Sequence, residues 1–283
     1  MDWTTALGFV LVGFTGGAFG SLVGLGGATF VIPLATLLLD PDTQQLRAAA
    51  MVSNTFVAAG AIGPYARAKQ INWRTFWAIA PWTILWVVVG VWLSMGIDAV
   101  LYRGMFGIFV LLVVARELHT LLRAPSQQAA PRQLRPLPAG LAGTLAGLAG
   151  GVLSVGGGVV FVPFQREWLR TPVKEAAATS MALVLPSVAV GAVVQMWSMA
   201  HLPAPGGGTL LPGAAAIAAC FAPAALAGGW VGATLNTRIP RRAVQWTVVC
   251  ALALAGLMLV RPWVARVMQA PGPAPTLPAQ PTP

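Results

Sequence analysis

GLGGATFVIP (residues 24–33) and SVGGGVVFVP (residues 154–163) are the two stretches whose reading decides the fold of this chain. Sliding the sequence until Gly24 falls on Ser154 lays one on the other and also superposes Gly13, Gly17 and Gly20 on Gly143, Gly147 and Gly150. Every identity in the window is glycine or proline, so what the two copies share is backbone shape. A glycine inside a helix costs about 1 kcal/mol relative to alanine. Pro33 and Pro163 remove a further donor six residues after Gly27 and Gly157. A break in each copy is the expected outcome.

Working outward, a second match follows about 20 residues later. LRAAAMVSN (residues 46–54) lies over VKEAAATSM (residues 173–181), sharing a basic residue (Arg47, Lys174), two alanines and a serine (Ser53, Ser180). The stretch RAPSQQAAPRQLRPLP (residues 123–138) and the tail 271–283 are too rich in proline to sustain a helix or a core. These divide the chain into a first repeat (1–122), a Pro-rich linker (123–138), a second repeat (139–270) and a Pro-rich tail (271–283).

The environment of both repeats follows from composition. Of 283 residues 57% are apolar and 8% charged, where a soluble globular chain carries charge on about a quarter. Apolar segments near 7–39, 48–66, 75–95, 99–118, 139–165, 176–200, 211–235 and 243–262 predict helices, most of them long enough to cross a bilayer. The start carries Asp2 and no basic residue before the first apolar segment, unlike a removable signal peptide, so that segment is expected to stay. The net charge of +10 is scattered over segment ends rather than gathered on one stripe, which argues against nucleic acid and for membrane orientation.

Counting those charges constrains topology. If all eight segments cross, the 17 basic residues divide almost evenly between the two sides and orient nothing. If 7–39 and 139–165 instead dip in, break and return, loops 67–74, 116–138, 165–175 and 235–242 fall together with 13 basic residues, against Arg47, Arg103, Arg261 and Arg266 opposite. A broken but fully crossing segment in one half alone scores similarly. The expected fold is thus an all-α polytopic membrane protein of two inverted repeats. Each repeat is a glycine-broken, re-entrant segment plus three transmembrane helices.

Broken backbone at membrane depth is tolerated only where protein buries it or a watery cavity lines it. The residues after each break start a half-helix whose free N–H groups present partial positive charge to an anion. Gly26, Gly27, Ser154, Gly156, Gly157 and Gly158 would shape such a substrate site, and Ser53, Asn54, Thr179 and Ser180 would add uncharged donors. Serine and threonine equally often bond back to their own helix. For Gly13/Gly17, Gly20/Gly24, Gly143/Gly147 and Gly228/Gly232, small-xxx-small pairs, close helix packing is the expected role. Gln195 is polar inside a span, placed to line a pathway or to join helices.

Other chemistry is thinly represented. The seven acids all lie at or near segment ends, so no mid-span carboxylate offers a proton relay. His119 and His201 read as interfacial residues, and Cys220 and Cys250 as small buried hydrophobes without metal-type spacing. Walker A, H-E-x-x-H and G-x-S-x-G motifs are missing, so neither an enzyme nor a cofactor or metal site is expected.

The residues GFTGGAFGSLVGLGGATFVIP and GTLAGLAGGVLSVGGGVVFVP, followed by AAAMVSN and KEAAATSM, resemble the TauE/SafE family of bacterial membrane transporters. The second copy is the nearer match, because the first has Ala28 where a third glycine would stand and Val52-Ser53-Asn54 in place of Thr-Ser. The resemblance implies a multi-pass permease of the bacterial cytoplasmic membrane that moves small sulfur-containing anions such as sulfite or organosulfonates. A non-transporting scaffold whose glycines only pack helices is the competing expectation, with a membrane-embedded enzyme behind it.

Overall fold

The computed structural model describes residues 2–122, 134–204 and 207–238, together with 249, 252, 253, 256, 257, 259–261, 263 and 264. Its helices are α1 (Trp3–Val23), α2 (Ala28–Leu38), α3 (Thr43–Arg67), α4 (Trp73–Ser94), α5 (Ala99–Leu122), α6 (Pro136–Leu153), α7 (Gly158–Pro163), α8 (Val173–Met199) and α9 (Leu211–Arg238). A π-helical turn, Phe164–Trp168, continues α7. Among the described residues seven helices are long and apolar enough to cross a membrane, namely α1, α3, α4, α5, α6, α8 and α9. Most of the segment expected over 243–262, most of the linker and the whole tail lie outside the described residues.

Local chemistry explains the boundaries. Asp42 and Asn72 accept from the Gln45 and Thr75 N–H groups at 2.9 and 3.0 Å, capping α3 and α4. α6 starts at Pro136, inside the stretch whose composition suggested linker, because proline is accepted in a first turn that has no N–H partner to lose. Pro33 does not stop α2, which runs on to Leu38, and the π-turn begins directly after Pro163. The interruptions therefore sit at the glycines and not at the prolines. Large apolar side chains such as Leu7, Leu11, Leu141, Leu145 and Trp77 point outward, as lipid-facing groups do.

Glycine decides how the helices assemble. Leu39 packs on Gly8, Val31 on Gly16 and Gly27 on Gly20, so α2 folds back along α1. Gly13 and Gly17 approach Phe221 and Ala225 of α9, and Gly232 approaches Ala18, an ascending order that makes α1 and α9 parallel. Gly143 and Gly147 approach the Ile79 and Thr83 carbonyls in the same ascending way, so α6 runs parallel to α4. The first helix of each half is thus packed against a later helix of the other half. Between them α3 and α8 run antiparallel, with Met51 against Gly191 and the Asn72 N–H on Thr179.

Those contacts bear out packing for Gly13/Gly17, Gly143/Gly147 and Gly228/Gly232. Gly20/Gly24 is different. A Cβ on Gly20 would lie 2.5 Å from Gly27 of its own half, and Gly24, with φ +79°, belongs to the break itself.

Candidate functional site

The two breaks share their turn hydrogen bonds, although Gly27 keeps right-handed backbone at φ −64° where Gly157 is left-handed at φ +80°. Leu25 and Gly26 N–H groups both donate to the Gly20 carbonyl, and Val155 and Gly156 do the same to Gly150 in the second copy. Below the break, Phe30 and Val31 return to the Gly27 carbonyl as Val160 and Phe161 return to Gly157. Gly26 at φ +92° and Gly156 at +77° supply the left-handed turns, a region that L side chains rarely adopt. Ser154 takes the same hand at φ +59°.

The breaks touch one another at the centre of the protein. A Cβ on Gly158 would lie 2.5 Å from the Leu25 carbonyl oxygen, so only glycine permits the approach. Asn54 of α3 joins both: its Oδ1 accepts from Gly27 N–H at 2.7 Å and its Nδ2 donates to the Val155 carbonyl at 3.0 Å. From α8, Ser180 Oγ donates to the Gly24 carbonyl at 2.7 Å. At the start of the half-helices, the N–H groups of Ala28, Thr29, Gly157 and Gly158 have no hydrogen-bond partner among the described residues.

Of the remaining expected site residues, Thr179 is buried and its hydroxyl accepts from the Asn72 N–H at 2.8 Å, holding the corner between α3 and α4. Ser53 is fully buried, and its hydroxyl meets no partner among the described residues. Ser154 is likewise buried, at the C-cap of α6. The Gln195 amide is 1% exposed and bonds to nothing among the described residues.

Two residues escaped the sequence reading. Arg47, counted there as an outer charge, is 0% exposed. Its Nη1 donates to Gln44 Oε1 and to the Ser94 carbonyl, each at 3.1 Å, and its Nη2 reaches the Val152 carbonyl at 3.4 Å. The guanidinium lies 4.3 Å over the Tyr102 ring, and the Tyr102 hydroxyl donates to the Leu153 carbonyl at 2.9 Å. Both side chains thus converge on the last carbonyls before the second break. Arg47 stands about one turn into α3, and an arginine buried there instead of snorkelling to the interface calls for a use. The only available signal was its match to Lys174 in the repeat.

A separate charged cluster ties the π-turn to α5, away from the breaks. Arg116 pairs with Glu117 at 3.1 Å and with Glu167 at 3.3 Å. Burial pulls the neighbouring Arg166 below the ordinary arginine range, and the Glu117 charge opposes that pull. Among the described residues no group of three or more His, Cys, Asp or Glu is placed to hold a metal.

An apolar bundle with two interrupted segments clamped together is the build of a multi-pass membrane protein with discontinuous helices, an architecture that many transporters use. The family model described as sulfite exporter TauE/SafE matches residues 9–259, and the chain belongs to that family. It is also 25% identical over 191 residues to a protein of Methanocaldococcus jannaschii named as a probable membrane transporter protein, covering 65% of this chain and 70% of that one. No solved structure matches the chain.

Proposed function

We propose that the chain is a permease for small oxyanions, sulfite or an organosulfonate above all, in a bacterial cytoplasmic membrane. It works by alternating access around the two broken segments, which enter from opposite faces and return as re-entrant pairs of an inverted repeat. The observation that carries this reading is the contact between the breaks: two half-helix ends with N–H groups that have no partner among the described residues, held against each other by Asn54. Such ends attract anions without lysine or arginine. The return of α2 along α1 and the antiparallel run of α3 and α8 support the inverted arrangement. The family's description, sulfite exporter, supports the substrate class.

In this reading Gly26, Gly27, Ser154, Gly156, Gly157 and Gly158 shape the site, while Ser53, Asn54, Thr179 and Ser180 border it. The scaffold alternative needs continuous helices at Gly26 and Gly156, and both positions instead carry left-handed backbone. The test is saturable sulfite flux in proteoliposomes, wild type against Gly157→Leu. At Gly157 φ is +80° and a Cβ would lie 2.7 Å from the Ala146 carbonyl oxygen, so leucine distorts the break and flux collapses. Wild-type flux in a well-folded Gly157→Leu variant removes the site from these residues.

A further inference from the structure

We infer that the Nε–Nη2 edge of Arg47 is a subsite that takes an oxyanion by two oxygens at once, on the path to the second break. This rests on the anion-permease reading and adds to it a residue and a selection rule.

The argument begins with charge. Arg47 is wholly buried, and no carboxylate among the described residues forms an ion pair with it, the ion pairs found there being Arg103–Asp40, Arg116–Glu117 and Arg116–Glu167. A buried cation without a counter-charge is retained for a ligand or a pathway. Bonding is also uneven across the guanidinium. Nη1 makes two bonds of 3.1 Å, whereas Nη2 has a 3.4 Å contact and Nε, buried, has no partner in hydrogen-bond geometry among the described residues, with the Tyr102 hydroxyl as the neighbouring polar group. The under-bonded donors share one edge of the plane, the edge that grips two oxygens of a carboxylate, sulfonate or phosphate in parallel. Tyr102, anchored through its hydroxyl to the Leu153 carbonyl, fixes that plane from below.

Capping of α6 does not account for the charge. The equivalent carbonyl in the first half, that of Leu22, which the repeat lays over Val152, is satisfied by the neutral amide of Asn236. A cation at Val152 therefore exceeds what the carbonyl requires. A halide meets both N–H donors of the edge with one atom and bent bonds, whereas an oxyanion gives each donor its own oxygen, so Arg47 favours oxyanions over halides of equal charge.

The experiment compares methanesulfonate and chloride, both monovalent, in flux through proteoliposomes of the full-length protein. Arg47→Lys keeps the charge and removes the fork, and the methanesulfonate-to-chloride ratio is expected to fall about ten-fold, the loss of one charge-assisted hydrogen bond. An unchanged ratio in Arg47→Lys, with wild-type flux intact, overturns the subsite and leaves the permease reading standing. Absence of anion flux in the wild type sinks both. A measurement on the unaltered protein keeps the test independent of variant folding: methanesulfonate is expected to raise its melting temperature more than chloride at equal ionic strength, and equal shifts overturn the subsite.

Discussion

The Asn54 side chain bonds to both broken segments at once, accepting from Gly27 N–H on Oδ1 and donating from Nδ2 to the Val155 carbonyl across 101 residues of sequence. A single amide therefore sets the distance between two half-helix ends. Asn54→Leu, similar in size, orphans a buried donor and a buried acceptor, each at about 1–3 kcal/mol. Thermal unfolding in detergent should register the loss. Asn54→Asp keeps the acceptor for Gly27 but turns the donor into a negative charge facing both a carbonyl and any incoming anion. Anion flux is expected to fall further in Asn54→Asp than in Asn54→Leu, and the reverse order would argue that these ends do not meet an anion.

Glycine positions separate packing from backbone need. A Cβ on Gly147 would lie 2.7 Å from the Thr83 carbonyl oxygen, so Gly147→Ala pries α6 from α4 and lowers the melting temperature. At Gly140, in the same helix, an added methyl would meet only the Trp82 ring at 3.5 Å, an ordinary contact. Gly140→Ala should stabilise the protein by up to about 1 kcal/mol through helix propensity alone. Equal effects of the two substitutions in a thermal melt would contradict the assigned packing.

The return of α2 along α1 makes a labelling prediction. With Cys220 and Cys250 first replaced by alanine, cysteine at Asp40 or at Gly207 should react with a membrane-impermeant maleimide from outside intact cells. Cysteine at Lys69 should react only after permeabilisation, because loop 67–74 belongs to the positively charged face. Labelling of Trp3→Cys and Asp40→Cys from opposite faces would show that α1 and α2 do not form a re-entrant pair.

The legible part of this protein was the part written in glycine. Gly26–Gly27 and Gly156–Gly158 announce a break because backbone freedom is a local property, and their spacing from Pro33 and Pro163 announces the copy. Membrane residence was equally local, a matter of charge-free runs. Arg47 was not legible. Position alone set it among the outer charges, and its burial depends on the Ser94 and Val152 carbonyls, 47 and 105 residues away. The division of labour among the polar residues was hidden for the same reason. Asn54, Thr179 and Ser180 read as similar donors, yet Thr179 accepts from the Asn72 N–H while Asn54 and Ser180 hold the breaks.

The exchange of first helices between the halves bears on how the protein is made. As the chain emerges, Gly13 and Gly17 of α1 lack their α9 neighbours until all the helices from α2 to α8 have been synthesised, whereas α6 finds α4 already in place. Docking of α9 against α1 is therefore expected late in synthesis, and a chain truncated before α9 is expected to leave Gly13 and Gly17 without the neighbours they are shaped for.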